Sequence, residues 1–116
     1  MLDRLFGGGS LRALEVMLSF ASERQTVIAG NIANVSTPGY GARDLSESGF
    51  QAELDRAFAG QGRMSPSFGV AETGQNVDLE LEMTRMVRNT DFHSTAAALL
   101  AHQFSLMREA ISGRVN

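Results

Sequence analysis

The stretch Asn31-Ile32-Ala33-Asn34-Val35-Ser36-Thr37-Pro38-Gly39-Tyr40 closes a long apolar-periodic segment and turns the chain. Pro38 fixes φ at the first corner of a turn and disfavours helical geometry at Thr37, and Gly39 supplies the positive φ that a type II turn requires next. Asn34 tolerates the left-handed conformation that often ends a helix. The stretch therefore predicts the end of a helix followed by a type II turn.

Two side chains of this stretch have alternative roles. The amide of Asn31 can bond to backbone or to a partner helix, or it can serve with Asn34 for capping and solvation. Tyr40 can pack back on the helix, as an aromatic residue after a turn usually does, or against another subunit.

Upstream, apolar residues recur at alternating spacings of three and four, which is the a/d pattern of a heptad repeat. Ser10 is a candidate N-cap, and Leu2, Leu5 and Phe6 before it fit either one apolar turn or a frayed terminus. We predict a helix over residues 11–35, with a seam at Leu11, Leu14, Leu18, Ala21, Gln25, Ile28, Ile32 and Val35.

A second long pattern begins near Asp78. Glu80 and Glu82 lie in its first turns, where carboxylates complement the positive helix end; a cation site is the less favoured interpretation because no further ligands lie nearby. Gly113 ends the pattern. We predict a helix over residues 79–112, with a seam at Leu79, Met83, Met86, Thr90, His93, Ala97, Leu100, Phe104, Met107 and Ile111.

Residues 36–78 between the two patterns predict a turn, a short helix and a mobile loop. Phe50, Leu54 and Phe58 are four residues apart, and a Ser48-x-x-Gln51 capping box precedes them. From residue 60 to residue 74 the chain is rich in glycine, serine and proline, which favours the loop.

These elements predict an all-α fold of one domain spanning residues 1–116, in which two long N- and C-terminal helices pair as an antiparallel coiled-coil hairpin. A short helix and a flexible loop connect them. An alignment that sets Leu11 beside Met107 also sets Gln25 beside His93. We expect these two side chains to hydrogen-bond in a polar layer that fixes the register, the alternative being that His93 points to solvent.

Both helices also carry apolar residues outside these seams. The second face includes Phe92, Leu99 and Leu106 on the C-terminal helix and Phe20 on the N-terminal helix. A helix that is apolar on more than one side must bury more than one side, and the segment 45–58 supplies only one short amphipathic piece. We therefore expect other chains to cover this face.

Composition excludes several classes of protein. The net charge of −3 gives no basic footprint, so no nucleic-acid partner is expected, and the absence of cysteine excludes disulfides and thiolate metal sites. No apolar run is long enough to span a membrane, and Asp3 and Arg4 interrupt any secretory signal. By these criteria alone the chain is expected to be soluble and cytoplasmic.

Catalytic, cofactor and metal sites are also not expected. His93 and His102 are nine residues apart and so lie on different faces of one helix, and no nucleophile stands beside a base. The glycines do not form a phosphate-binding pattern after a strand. We therefore predict that the chain is not an enzyme.

The motif Asn31-x-Ala33-Asn34-x-x-Thr37-Pro38-Gly39-Tyr40, followed by Ala42-Arg43-Asp44, resembles the N-terminal signature of the bacterial flagellar rod, hook and axial proteins. Met1-Leu2-Asp3-Arg4-Leu5 fits as well, as does Asn76-Val77-Asp78-Leu79-Glu80-x-Glu82-Met83 before the C-terminal helix. The resemblance is greatest to the proximal rod subunits and covers residues 1–58 and 74–116.

This resemblance implies a structural subunit of the flagellar basal-body rod, exported without a cleaved signal peptide to the cell envelope. Its partners would be other proximal rod proteins, the adaptor that joins the rod to the MS ring, and further copies of itself. A secreted or adaptor hairpin that binds one protein is the alternative. The residues implied in assembly are Asn31, Ala33, Asn34, Thr37, Pro38, Gly39 and Tyr40.

Overall fold

A computed structural model describes residues 8–115 as three helices and two strands. The elements in chain order are α1 (Gly8–Ala33), β1 (Gly41–Leu45), α2 (Glu47–Phe58), β2 (Val70–Asn76) and α3 (Leu79–Val115). Two predictions lie outside the described residues. They are the apolar turn at Leu2, Leu5 and Phe6, and the segment Met1–Leu5 that was quoted for the family resemblance. The prediction of two long terminal helices and a short one between them is confirmed.

The helix α1 begins earlier than predicted and ends close to the predicted place. Ser10 lies inside α1, so its prediction as the N-cap is wrong. Asn34 follows the last helical residue, and its backbone N–H donates to the Gly30 carbonyl over 3.1 Å. No residue other than glycine has a positive φ between residues 8 and 115, so the left-handed conformation predicted for Asn34 is wrong.

The turn after α1 has the predicted form. The Tyr40 N–H donates to the Thr37 carbonyl over 3.2 Å, which closes the four-residue turn. Gly39 has a φ of 78°, the value that the third position of a type II turn requires.

A two-stranded antiparallel sheet corrects the all-α prediction. The strand β1 pairs with β2 in a register that sets Arg43 opposite Glu72 and Leu45 opposite Val70, with an irregularity between Gly41 and Arg43. The strand β2 occupies part of the predicted mobile loop, although every one of its residues is exposed. Its sequence lacks an apolar alternation, so pairing with β1 rather than local propensity specifies the strand.

The helix α2 begins two residues earlier than the predicted capping box requires. Ser46, not Ser48, is the N-cap, because its Oγ accepts from the Gly49 N–H at 3.1 Å. Ser48 lies within the first turn instead. Gly60 follows the helix with a φ of 76°, which only glycine adopts without strain.

An aromatic cluster forms the core between α1, α2 and the loop before β2. The rings of Phe20 and Phe50 stack with centroids 4.2 Å apart, and Phe68 meets Phe20 edge-on at 5.3 Å. Phe20 and Phe68 are buried together with Leu45 and Leu54. The expectation that other chains must cover Phe20 is therefore wrong, because α2 and Phe68 cover it within the chain.

The helices α1 and α3 pair antiparallel, in a register that differs from the predicted one by about one turn. Gln25 lies opposite Asn89 and Asn31 lies opposite Glu82, as their hydrogen bonds show. On α3 the buried residues are Glu82, Asn89 and Ala96, spaced by seven. This buried stripe lies one position away from the predicted seam, and the coiled-coil packing itself stays a prediction.

The helix α3 begins where it was predicted to begin, but it ends later than predicted. Asp78 precedes α3, and its Oδ1 accepts from the Leu81 N–H at 3.2 Å, which agrees with the predicted start. The helix continues through Gly113 to Val115, so the predicted end at residue 112 is too early. Among the described helices, none is both long and apolar enough to cross a membrane.

Candidate assembly site

Asn31 is the centre of the candidate assembly site. Its side chain has no exposed surface although it lies in the last turns of α1. Its Nδ2 donates to the Arg43 carbonyl at 2.8 Å, and its Oδ1 accepts from the Arg43 N–H at 2.9 Å. One amide therefore satisfies both backbone groups of a β1 residue, which fixes the strand against the helix.

The same amide also reaches α3. Asn31 Nδ2 lies 3.1 Å from Glu82 Oε2, and Glu82 is only 1% exposed. The other carboxylate oxygen, Oε1, lies 3.6 Å from Arg85 Nη1. A buried carboxylate requires such partners because removing it from water is costly. Asn31 thus joins α1, β1 and α3.

A second polar contact joins the same three elements near the surface. Asp44 on β1 accepts two hydrogen bonds from Arg24 of α1, from Nε at 3.1 Å and from Nη2 at 3.0 Å. Arg85 of α3 approaches the same carboxylate at 3.7 Å. We call Arg24, Asn31, Asp44, Glu82 and Arg85 the polar junction. Its members hold the turn at a fixed angle to both long helices.

The remaining residues of the predicted motif form the turn itself. Asn34 donates from Nδ2 to the Gly30 carbonyl at 2.8 Å and accepts from Thr37 Oγ1 at 3.1 Å. Tyr40 is half-buried, with the Arg43 guanidinium 5.2 Å from its ring centre. Exposed positions complete the motif at Ala33, Thr37, Pro38 and Gly39.

The polar layer between the long helices contains a different residue from the one predicted. Asn89 donates from Nδ2 to the Gln25 Oε1 and to the Ala21 carbonyl, both at 2.8 Å. His93 is exposed one turn further along α3. The hypothesis that Gln25 pairs with His93 is therefore replaced by a Gln25–Asn89 pair.

The predicted seam residues differ widely in burial. Ile28 is buried, whereas Met83, Phe104 and Ile111 are 54%, 49% and 64% exposed. Ala21 is also buried, whereas Val35, Leu79, Thr90 and His93 are exposed. The remaining seam residues are half-buried: Leu11, Leu14, Leu18, Gln25, Ile32, Met86, Ala97, Leu100 and Met107. On the second face Phe92 and Leu99 are exposed and Leu106 is half-buried. Much of the apolar surface of α3 therefore faces outward.

Sequence reasoning missed several residues of the site. The sequence analysis places Glu82 only at a helix start and gives Asn89 no role, although their spacing of seven is the signal of one helix face. Asp44 belongs to the quoted motif, but its pairing with Arg24 has no local signal because the contact depends on the position of β1. Between residues 8 and 115, no group of three or more histidine, cysteine or acidic side chains is placed to hold a metal ion.

The chain is similar to flagellar rod proteins. A family model described as flagella basal body rod protein matches residues 18–40, which include the motif. The flagellar basal body rod protein FlgB of Salmonella typhimurium is 29% identical over 143 positions, covering 97% of this chain and 99% of that protein. The FlgB of Bacillus subtilis is 26% identical over 125 positions, covering 90% and 95%. The resemblance predicted from the motif is confirmed.

A third relative matches a shorter segment more closely. The FlgB of Yersinia enterocolitica is 36% identical over 87 positions, which cover 75% of this chain and 53% of that protein. The alignment with the Salmonella protein has 143 positions, more than the 116 residues of this chain, so that protein carries residues with no counterpart here.

Proposed function

We propose that this chain, which is similar to flagellar basal body rod proteins along nearly its whole length, is a structural subunit of the flagellar basal-body rod. The observation that carries the proposal is the position of the motif. The family model matches residues 18–40, and within them Asn31 anchors the polar junction that joins three elements. These contacts support an architectural role for the motif residues, which is part of the proposal.

The exposed surface of α3 supports a subunit rather than an isolated protein. Val87 and Ile111 are 62% and 64% exposed, and six more large apolar side chains of the same helix are exposed to a lesser degree: Leu79, Leu81, Met83, Phe92, Leu99 and Phe104. Burying one such side chain contributes roughly 1.5–3 kcal/mol. Many exposed large apolar side chains on one helix are typical of a surface that other chains cover.

We further propose that the chain forms one rod-core unit in the proximal rod, where its two long helices contribute to the inner tube. Its neighbours would be other proximal rod proteins, the adaptor to the MS ring, and further copies of itself. The assembled rod would transmit motor torque and would pass exported proteins through its bore. Export without a cleaved signal peptide belongs to the same proposal, as does the absence of a catalytic role.

The alternative is a secreted or adaptor helical hairpin that binds a single protein partner by packing a helix into a groove. Deleting the gene and then restoring it distinguishes the rod-subunit proposal from this alternative. A rod subunit predicts that the deletion abolishes swimming, that basal bodies lack a rod, and that the restored gene recovers both. A deletion strain that swims normally and builds complete rods would contradict the rod assignment.

A further inference from the structure

An open groove lies between α1, α2 and α3. It has a volume of about 630 Å³. Its apolar surface comes from Phe20, Phe50 and Phe92. Its lining also includes three arginines, Arg24, Arg85 and Arg88, and one acidic residue, Glu47. We call it the arginine groove. A ligand for it must be apolar with a negative charge beside the apolar part.

Arg88 distinguishes this groove from the polar junction. Arg24 and Arg85 already share the carboxylate of Asp44. Arg88 is exposed and makes no salt bridge with any described residue. Its charge is therefore available to a group that enters the groove from outside.

The other flank of α3 carries side chains that match these requirements. Leu79, Met83 and Val87 follow one another at a spacing of four, and they are 43%, 54% and 62% exposed. None of them lines the arginine groove. Glu80 is exposed beside them and makes no salt bridge with the described residues. An i, i+4, i+8 row of apolar side chains is the pattern of a helix that docks in a groove. We call these four residues the Met83 ridge.

We propose that the Met83 ridge of one copy docks in the arginine groove of the next copy, with Glu80 beside Arg88. The ridge carries one acidic residue beside apolar side chains, and the groove carries arginines beside apolar side chains. The charges of the two surfaces are therefore opposite, and their apolar parts can pack against each other. This inference rests on the proposed function and adds the two surfaces that would join copies of the chain.

The contact is heterologous because the ridge and the groove are different surfaces of one chain. A docked pair leaves one groove and one ridge open for further copies, so the contact does not close as a two-fold dimer. Such a contact builds either a ring or a helical filament, according to the rotation between successive copies.

Cysteine cross-linking tests the contact cleanly because the chain has no cysteine of its own. One tagged full-length copy carries Met83→Cys, and a differently tagged copy carries Gln51→Cys at the exposed rim of the groove. After mild oxidation we expect at least about tenfold more mixed dimer than from a control pair of Met83→Cys and Ala98→Cys, an exposed site elsewhere on α3. Equal yields from the two pairs would overturn the proposal.

A copy that carries both Met83→Cys and Gln51→Cys tests the direction of assembly. A heterologous contact predicts a ladder of species larger than dimers, whereas products that stop at the dimer would overturn it. Cross-linking of the ridge to another rod protein instead of a second copy, in cell extracts containing both, would also overturn it.

Charge reversal tests the proposed ion pair. In the doubly substituted cysteine copy, we expect Arg88→Glu or Glu80→Arg alone to lower the ladder about tenfold, because like charges then face each other. The combined Glu80→Arg and Arg88→Glu variant should restore it to within about twofold. Failure of this combination to exceed the single variants would contradict the pairing. The swimming of the deletion strain that carries the restored, unmodified gene tests the rod assignment separately. Failed cross-linking with restored swimming would reject this interface but not the proposed function.

Discussion

Asn31 of α1 and Glu82 of α3 meet in the interior, with Asn31 Nδ2 3.1 Å from Glu82 Oε2. The contact is buried at both residues, and the same amide holds both backbone groups of Arg43. One side chain in the last turns of a helix thus sets the position of a strand and of a second helix.

The first prediction concerns this amide. Asn31→Ala leaves the Glu82 carboxylate and the Arg43 backbone without their partner, so we expect the free energy of unfolding to fall by about 2–4 kcal/mol. Urea denaturation of the purified chain measures it. Thr26→Ala, on the exposed side of the same helix, is the control and should change it by less than about 0.5 kcal/mol. Equal effects of the two substitutions would show that the junction contributes little.

The second prediction compares two glycines in helices. A Cβ at Gly49 would lie 2.4 Å from the backbone oxygen of Phe68, whereas a Cβ at Gly113 meets nothing within 4 Å. We expect Gly49→Ala to destabilise the fold by about 1–3 kcal/mol because the backbone must move. Gly113→Ala should stabilise α3 by up to about 1 kcal/mol. Thermal unfolding followed by circular dichroism gives both signs, and a stabilising Gly49→Ala would contradict the observed packing of α2.

The third prediction separates the two possible polar layers. Asn89 is 6% exposed and bonds to Gln25, while His93 is exposed. We expect Asn89→Ala to lower the free energy of unfolding by about 1–3 kcal/mol, through lost hydrogen bonds and a cavity. His93→Ala should change it by less than about 0.5 kcal/mol. A larger loss for His93→Ala would restore the original Gln25–His93 hypothesis.

The fourth prediction concerns the turn. Pro38→Ala with Gly39→Val removes the fixed corner and places a β-branched residue at a φ of 78°, which costs about 1–3 kcal/mol and favours continuation of the helix. We expect cells carrying the pair to make the protein and yet fail to swim. Soft-agar spreading with an immunoblot for protein level is the measurement. Pro38→Ala alone is the milder control, and normal swimming of the double variant would refute the role of the turn.

Local signals were enough to predict the helices and the turn. The apolar periodicity of α1, the acidic start of α3 and Pro38-Gly39 are short-range features, and the two helices and the turn that they predict lie near their predicted places. The caps were less predictable: the capping-box pattern favours Ser48, yet the Gly49 N–H donates to Ser46, which caps α2.

Non-local features could not be predicted. The strand β2 has a mostly polar sequence without apolar alternation, and it forms because β1 offers a partner edge. The face of α3 that meets α1 contains Glu82 and Asn89, which a search for apolar seams passes over. The burial of these polar residues depends on Asn31 and Gln25, which lie 51 and 64 residues away. The contact of Arg24 with Asp44 could not be predicted for the same reason, since it joins residues that are 20 positions apart.

The most direct test of the rod assignment is isolation of basal bodies from cells that carry an epitope-tagged form of this chain. The assignment predicts that the tag sediments with detergent-extracted basal bodies and resists washing with salt, because the exposed apolar side chains of α3 are then buried against neighbours. A tag recovered only in a soluble one-to-one complex, with rods that are complete without it, would contradict the assignment.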